Sequence, residues 1–400
     1  MRKHVLFITD YLPHPPISGD RIRVYHLARR LARTYRVSIA APVRTPEEAG
    51  GVEPLQAFCE HVLTAGLPPR HPVAHLPGLA RTALTGQPLE LHFLTSAGLI
   101  RQIRALLHSD PVDILQFEHS RMAQYARAVC TPGGPRTVLT FHNVACRQFE
   151  TIYRITRAPD ARFRAWLFSR QMHAWEARCA RAFDRCVAVS EHDRQLLLEL
   201  APGSRIDVAP NGVDTQAIRP LPRADGVPTV LMIGLMSYAP YTDSAVHFCN
   251  EVLPILRERV GAVQVFLVGP EPPPEVRSLE GEGVRVTGRV PEVAPYYQRA
   301  AVSVVPLRAG GGTRLKILEA MAFGRPVVST SLGCEGLDVV DGEHLLVADA
   351  PASFAIQIER LLSDPALYDR IVRQARALVE TQYDWDIIAR RMADIYDELT

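Results

Sequence analysis

Short apolar runs alternate with stretches of helical periodicity along the whole chain. Residues 5–8 (Val-Leu-Phe-Ile) read as a strand, and 22–33 follow with Ile22, Leu27, Ala28 and Leu31 spaced for one helix face. Further strand-like runs lie at 37–41, 114–117, 138–141, 187–189 and 206–208. A second series begins at 230–233 and continues through 263–268, 284–286, 302–305, 327–329 and 345–347, with helical patterns between most of them. Strand alternating with helix implies a parallel sheet covered on both faces. Two such series predict two doubly wound α/β domains. Pro210-Asn211-Gly212 punctuates the join. The expected division is 1–209 for the first domain and 210–385 for the second, with a last helix over 386–400 packing back on the first. Two such domains would hold ligands in a cleft at the carboxyl ends of their strands.

Composition narrows the class. The net charge of +2 excludes the basic footprint of a nucleic-acid binder. The apolar run after Met1 is too short for a signal-peptide core, and no stretch reaches the roughly 20 apolar residues of a membrane span. Seven dispersed cysteines without a Cys-x-x-Cys read as reduced thiols. A cytoplasmic location is expected. Residues 153–185 mix arginines with Phe163, Trp166, Leu167, Phe168 and Trp175. Such a helix suits peripheral contact with the inner face of an anionic membrane, or simply an arginine-rich domain surface.

Candidate chemistry concentrates in Gly310-Gly311-Gly312-Thr313-Arg314-Leu315-Lys316-Ile317-Leu318-Glu319, followed by Gly324 and Pro326. The pattern is glycine loop, helix, glycine stop and buried strand. Free N–H groups at a helix start favour an anion such as a diphosphate. Arg314 and Lys316 add cations in the first turn, and Glu319 adds a carboxylate one turn deeper. Lys3 and Lys316 are the only lysines in an arginine-rich chain. A compact ammonium and a planar guanidinium are not interchangeable at such a site. Lys316 and Glu319 share a helix face, so an intrahelical ion pair competes with ligand binding.

Taken in order, five segments resemble the retaining glycosyltransferases of family four, which have the GT-B fold. They are Pro15-Pro16-Ile17-Ser18-Gly19-Asp20, Phe141-His142-Asn143, Val189-Ser190, Pro210-Asn211-Gly212-Val213-Asp214 and the glycine-helix block. The chain is most similar to sugar transferases found with bacterial exopolysaccharide and exosortase systems. The resemblance implies transfer of a sugar from a nucleotide diphosphate donor to a saccharide, lipid-linked or small-molecule acceptor. It implies no metal and no other cofactor. Two departures stand out. Gly311 occupies the place of a glutamate common in the family, and residues 234–243 lack the usual arginine and lysine. Arg314 and Lys316 are then the expected phosphate clamp.

Glu319 would accept from the vicinal hydroxyls of the donor ribose. By resemblance His142 contacts the donor sugar or the acceptor, with Asn143 beside it; a strand-end histidine satisfied by backbone is the plain alternative. Glu118 and His119 end the 114–117 run and would line the same edge. Gly19 allows close backbone approach, while Asp20 serves as an acceptor-side base, as the N-cap of a helix from Arg21, or as both. Gly310, Gly311, Gly312 and Thr313 would meet the diphosphate. Asp384-Trp385-Asp386 looks like a metal-binding Asp-x-Asp, but its place before the last helix favours capping. Acceptor choice is expected in loops such as 66–87. A nucleotide-sugar 2-epimerase and a non-catalytic sugar-nucleotide binder remain alternatives.

Overall fold

The computed structural model describes residues 2–68 and 87–400, so most of the expected acceptor loop, 69–86, lies outside it. The chain divides into two compact units. One comprises Met1–Glu150, Phe163–Asn211 and Trp385–Thr400; the other comprises Thr151–Arg162 and Gly212–Asp384.

The first unit is built on a seven-stranded sheet: β1 His4–Ile8, β2 Arg36–Val43, β3 His61–Gly66, β4 Ile114–Glu118, β5 Arg136–Phe141, β6 Arg185–Ala188 and β7 Ile206–Val208. Its order is β3-β2-β1-β4-β5-β6-β7, and every pairing is parallel. Strand side chains alternate between faces. Leu6 and Ile8 therefore enter one apolar layer, while Val5 and Phe7 enter the other with Leu27, Leu31, Trp385 and Met392. The edge strand β3 was not legible as a strand. Its residues are only half-buried and include His61 and Thr64, so no continuous apolar run marks it.

The second unit has six parallel strands: β8 Thr229–Ile233, β9 Gln264–Val268, β10 Val284–Gly288, β11 Val302–Val305, β12 Val327–Ser329 and β13 Leu346–Val347. The order is β10-β9-β8-β11-β12-β13. Val230 and Met232 feed one core layer, and Leu231 and Ile233 the other. In both sheets the winding reverses beside the first strand, between β1 and β4 and between β8 and β11. Loops leaving the carboxyl ends at such a reversal form the usual ligand crevice of an open α/β sheet.

The helix Trp385–Asp397 packs in the first unit against the helix Gly19–Leu31. Trp385 stacks on His26 at 5.5 Å, and Asp386 pairs with Arg30 at 2.8 Å and Arg33 at 3.1 Å. Asp384 accepts from the N–H and hydroxyl of Thr215, at 3.1 and 2.5 Å. The two aspartates are thus engaged in tertiary contacts that the expected capping role did not foresee. Among the described residues no helix is long and apolar enough to cross a membrane. The helix Pro159–Ala182 carries Met172, Trp175, Glu176 and Cys179 into the core, while Phe163, Trp166 and Leu167 are 59, 45 and 40% exposed.

Candidate functional site

In the second unit, the chain leaves β11 through Pro306 and Leu307 into the glycine loop and enters the helix Leu315–Ala322. Gly310 and Gly312 have φ of +119° and +73°, which L side chains rarely adopt. The Thr151 hydroxyl accepts from the Gly310 N–H at 2.9 Å and donates to its carbonyl at 3.2 Å. Arg314 is not in the first helical turn but is the residue before it, with extended backbone. Its buried guanidinium turns back onto the carbonyls of Gly311 and Gly312. Arg314 therefore shapes the loop from within, where the sequence had placed it with Lys316 as an outward clamp.

Lys316 Nζ lies 2.9 Å from Glu319 Oε2, the intrahelical pair that the spacing allowed. Both side chains are partly exposed. The Tyr297 hydroxyl donates to the same Oε2 at 3.1 Å, and among the described residues no hydrogen bond reaches Oε1. Burial and the neighbouring Glu319 carboxylate hold the Tyr297 phenol well above its ordinary value. Tyr297 stacks on Phe323 at 4.6 Å, and its carbonyl accepts from the buried Arg325 at 2.6 Å. Arg325 also donates to the carbonyls of Leu221 and Pro222. Neither Tyr297 nor Arg325 was singled out from sequence; an arginine in the otherwise apolar passage after a helix stop was the available signal.

The first unit assembles a different group at its own winding reversal. Glu118 ends β4 fully buried, and its Oε2 lies 2.5 Å from His142 Nε2 at the end of β5. One proton lies between them. Gln116 donates to the other Glu118 oxygen at 3.0 Å and to Thr140 at 2.7 Å, while Tyr396 donates to Gln116 at 3.0 Å. Burial pushes the Glu118 carboxyl up to about 7, against the pull of Arg23 and His119. His119 stacks on His142 with ring centroids 3.7 Å apart. Burial lowers both imidazoles; His142 further lowers His119, and Arg23 further lowers His142. Both rings are therefore neutral near pH 7.

Asp20 Oδ2 is 4.0 Å from His119 Nε2. Asp20 is not the N-cap. The helix starts at Gly19 with Ser18 in the cap position, and the Asp20 carboxylate takes the Ser18 hydroxyl and the Arg21 N–H. Asn143 is turned toward Gln148, to which it donates at 2.9 Å. The fully buried Arg23 donates to Pro210 and Asn211 beneath this group and was not foreseen.

No His or Cys spacing in the sequence suggested a metal site, yet folding brings ligand atoms of Asp10, Asp20 and His119 within 4.8 Å of one another. The same holds for His4, Glu60 and Asp110. Arg121 pairs with Asp10 at 2.8 Å, and Arg36 pairs with both Glu60 and Asp110 at 2.5 and 2.6 Å. Arg121 thus pairs with one carboxylate of the first group, and Arg36 bridges both carboxylates of the second.

Residues 17–217 match the family model described as Glycosyltransferase Family 4, and residues 227–364 match that described as Glycosyl transferases group 1. The chain belongs to glycosyltransferase family 4. The phosphatidyl-myo-inositol mannosyltransferase of Mycobacterium leprae is 29% identical over 222 residues, which are 53% of this chain and 58% of that one. The family 4 chain spans little more than half the length of the curated relatives it matches. Sucrose-phosphate synthase from Thermosynechococcus elongatus superposes with a TM-score of 0.72 at 18% identity, covering 100% of this chain and 99% of that one. Anabaena HepE in complex with UDP-glucose gives 0.70 at 14% identity, covering 99% of each. These likenesses establish the GT-B fold, with two Rossmann-like units.

Proposed function

We propose that this chain transfers a sugar from a nucleotide diphosphate donor to an acceptor hydroxyl, with retention, in the assembly of an exopolysaccharide or another glycoconjugate. The carrying observation is the glycine loop opening onto a helix whose exposed side presents Lys316 and Glu319, with Glu319 Oε1 left open. In this reading the helix start and Lys316 face the diphosphate, and Glu319 accepts from the ribose hydroxyls. Family membership, the mannosyltransferase relative and the UDP-glucose complex of HepE support a nucleotide-sugar donor.

Bond breaking places charge on the leaving diphosphate. Groups fixed before the reaction stabilise that charge without reorganisation, which makes them the main catalytic contribution. The leaving oxygen accepts the acceptor's proton as the new glycosidic bond forms on the same face. As a neutral ring held by Glu118, His142 can hydrogen-bond a sugar hydroxyl of the donor or of the acceptor. A lipid-linked acceptor would give the exposed Phe163, Trp166 and Leu167, with Arg164 and Arg170 nearby, an anionic membrane to meet.

A panel of UDP- and GDP-sugars tests the reading. A nucleotide at about 100 times its Kd should stabilise the protein by about 2.7 kcal/mol, read as a raised Tm. Turnover with an acceptor should then disappear in Glu319→Ala and in Lys316→Ala. Near-wild-type transfer by both variants would remove the site assignment. Gly311, standing where the family commonly has a glutamate, favours one second reading: binding without turnover for any acceptor. Epimerisation of the donor without acceptor would point to the 2-epimerase instead.

A further inference from the structure

Glu176 belongs to none of the sequence motifs, yet it is fully buried in the Pro159–Ala182 helix. Its Oε1 accepts from the Ser120 hydroxyl at 3.2 Å and from the Ala145 N–H at 2.9 Å, and its Oε2 accepts from the Cys146 N–H at 3.0 Å. Next to it, Trp175 Nε1 donates to the Ser120 carbonyl at 2.8 Å. Ser120 directly follows His119, and Ala145 lies three residues after His142. One pair of helix residues thus grips both histidine-bearing loops.

The local physics gives this grip a purpose. Ala145 and Cys146 open the helix Ala145–Ile155, so their N–H groups have no acceptor within it. The Glu176 carboxyl, which burial pushes up to about 7 against the pull of the Cys146 and Ala145 N–H groups, satisfies them and in its ionised form suits the positive end of the helix dipole. His119 has φ of +71°, a conformation a non-glycine residue keeps only where its surroundings hold it. The anchor falls on the very next residue, Ser120.

We propose that Glu176 is the positioning residue for the His119–His142 pair, its carboxylate tying the loop after β4 to the loop after β5 and so fixing how the two rings stack. The inference rests on the proposed work of His142 on the sugar. Glu176 touches neither ring; it acts through Ser120, Ala145 and Cys146. An amide at this place keeps the size but turns one acceptor into a donor that faces N–H groups.

The test is Glu176→Gln in the full chain, with Ser120→Ala as a milder variant that removes one strand of the grip. The first readout is the ring-proton and carbon NMR signals of His119 and His142, assigned by single His→Gln variants. In the wild type both rings should stay neutral down to low pH, shielded among Glu118, Arg23, Asp10, Asp20 and Arg121. In Glu176→Gln their signals should move and begin to titrate between about pH 5 and 7, as expected for a freed imidazole. The second readout is turnover. The kcat for sugar transfer should fall about tenfold or more, with the donor KM changed less than about twofold, since misplacement near the reacting centre affects rate more than binding.

A folded Glu176→Gln with unmoved histidine signals, whatever its Tm, overturns the proposal, as does unchanged kcat where the wild type is active. If Glu176→Gln does not fold, Ser120→Ala decides: a shifted His119 signal supports the proposal and an unmoved one overturns it. A wild type that transfers no sugar defeats the functional reading alone, because the NMR result still judges the grip.

Discussion

The two units share a parallel doubly wound sheet and a winding reversal beside the first strand, yet they equip that place in opposite ways. The first unit buries its chemistry: Glu118 and His142 are almost out of water, and burial displaces the titration of Glu118, His119 and His142. The second unit leaves Lys316 and Glu319 partly exposed and hides the supports, Arg314, Tyr297 and Arg325, behind them. Burial makes a group's protonation sensitive to its neighbours, whereas half-exposure keeps charges ready for a charged ligand. One sheet end holds buried groups with displaced titration, and the other holds a partly exposed ion pair.

The contrast is sharpest when one residue is removed from each unit. Lys316→Ala should lower sugar transfer by at least about 100-fold, the scale for losing one charge-stabilising group, while shifting the urea midpoint little. His142→Ala should instead cost about 2–3 kcal/mol of stability, since it strands the buried Glu118 carboxyl. Equal stability losses in the two variants would erase the distinction between the sites.

A smaller effect lies in pH. Glu118 binds its proton more tightly folded, at about 7, than unfolded, at its ordinary 4.5. Its contribution is therefore complete below the unfolded value and is lost as pH rises through about 7. The histidines act oppositely: their contribution is present above the ordinary 6.5 and is lost as pH falls through their lowered folded values. Glu118→Gln removes only the first. Relative to wild type, its stability should improve by about 1–3 kcal/mol between pH 4.5 and 8, measured by urea unfolding at both ends. A constant difference across that range would show that Glu118 is ionised throughout.

The smallest effect concerns the support of the exposed pair. Tyr297→Phe removes one hydrogen bond to Glu319 Oε2 and should cost about 1 kcal/mol, with a modest rise in donor KM. An unchanged KM would mean that Lys316 alone orients Glu319.

Much of this was legible in the chain itself. Near-continuous apolar runs such as 230–233 mark strands buried on both faces, because a covered parallel sheet leaves no polar face to break the run. The glycine-helix block was equally readable, since its local geometry needs residues near one another in sequence. The half-buried β3 carried no such run and went unread. Arg314 shows the limit within a legible motif: its number fixed its neighbourhood, but a difference of one residue in helix start turned it onto the loop carbonyls.

The sequence by itself determined most of the order of strands and helices, the presence of two doubly wound domains and the spacing that pairs Lys316 with Glu319, because each follows from residues near one another in the chain. Only the tertiary structure decided what surrounds them. Glu118 meets His142 from 24 residues away, Glu176 reaches Ser120 across 56, and Tyr396 reaches Gln116 across 280. Burial and contact of that kind arise when separate strands are laid side by side, so the displaced titration of Glu118 and the grip of Glu176 exist only in the folded sheet.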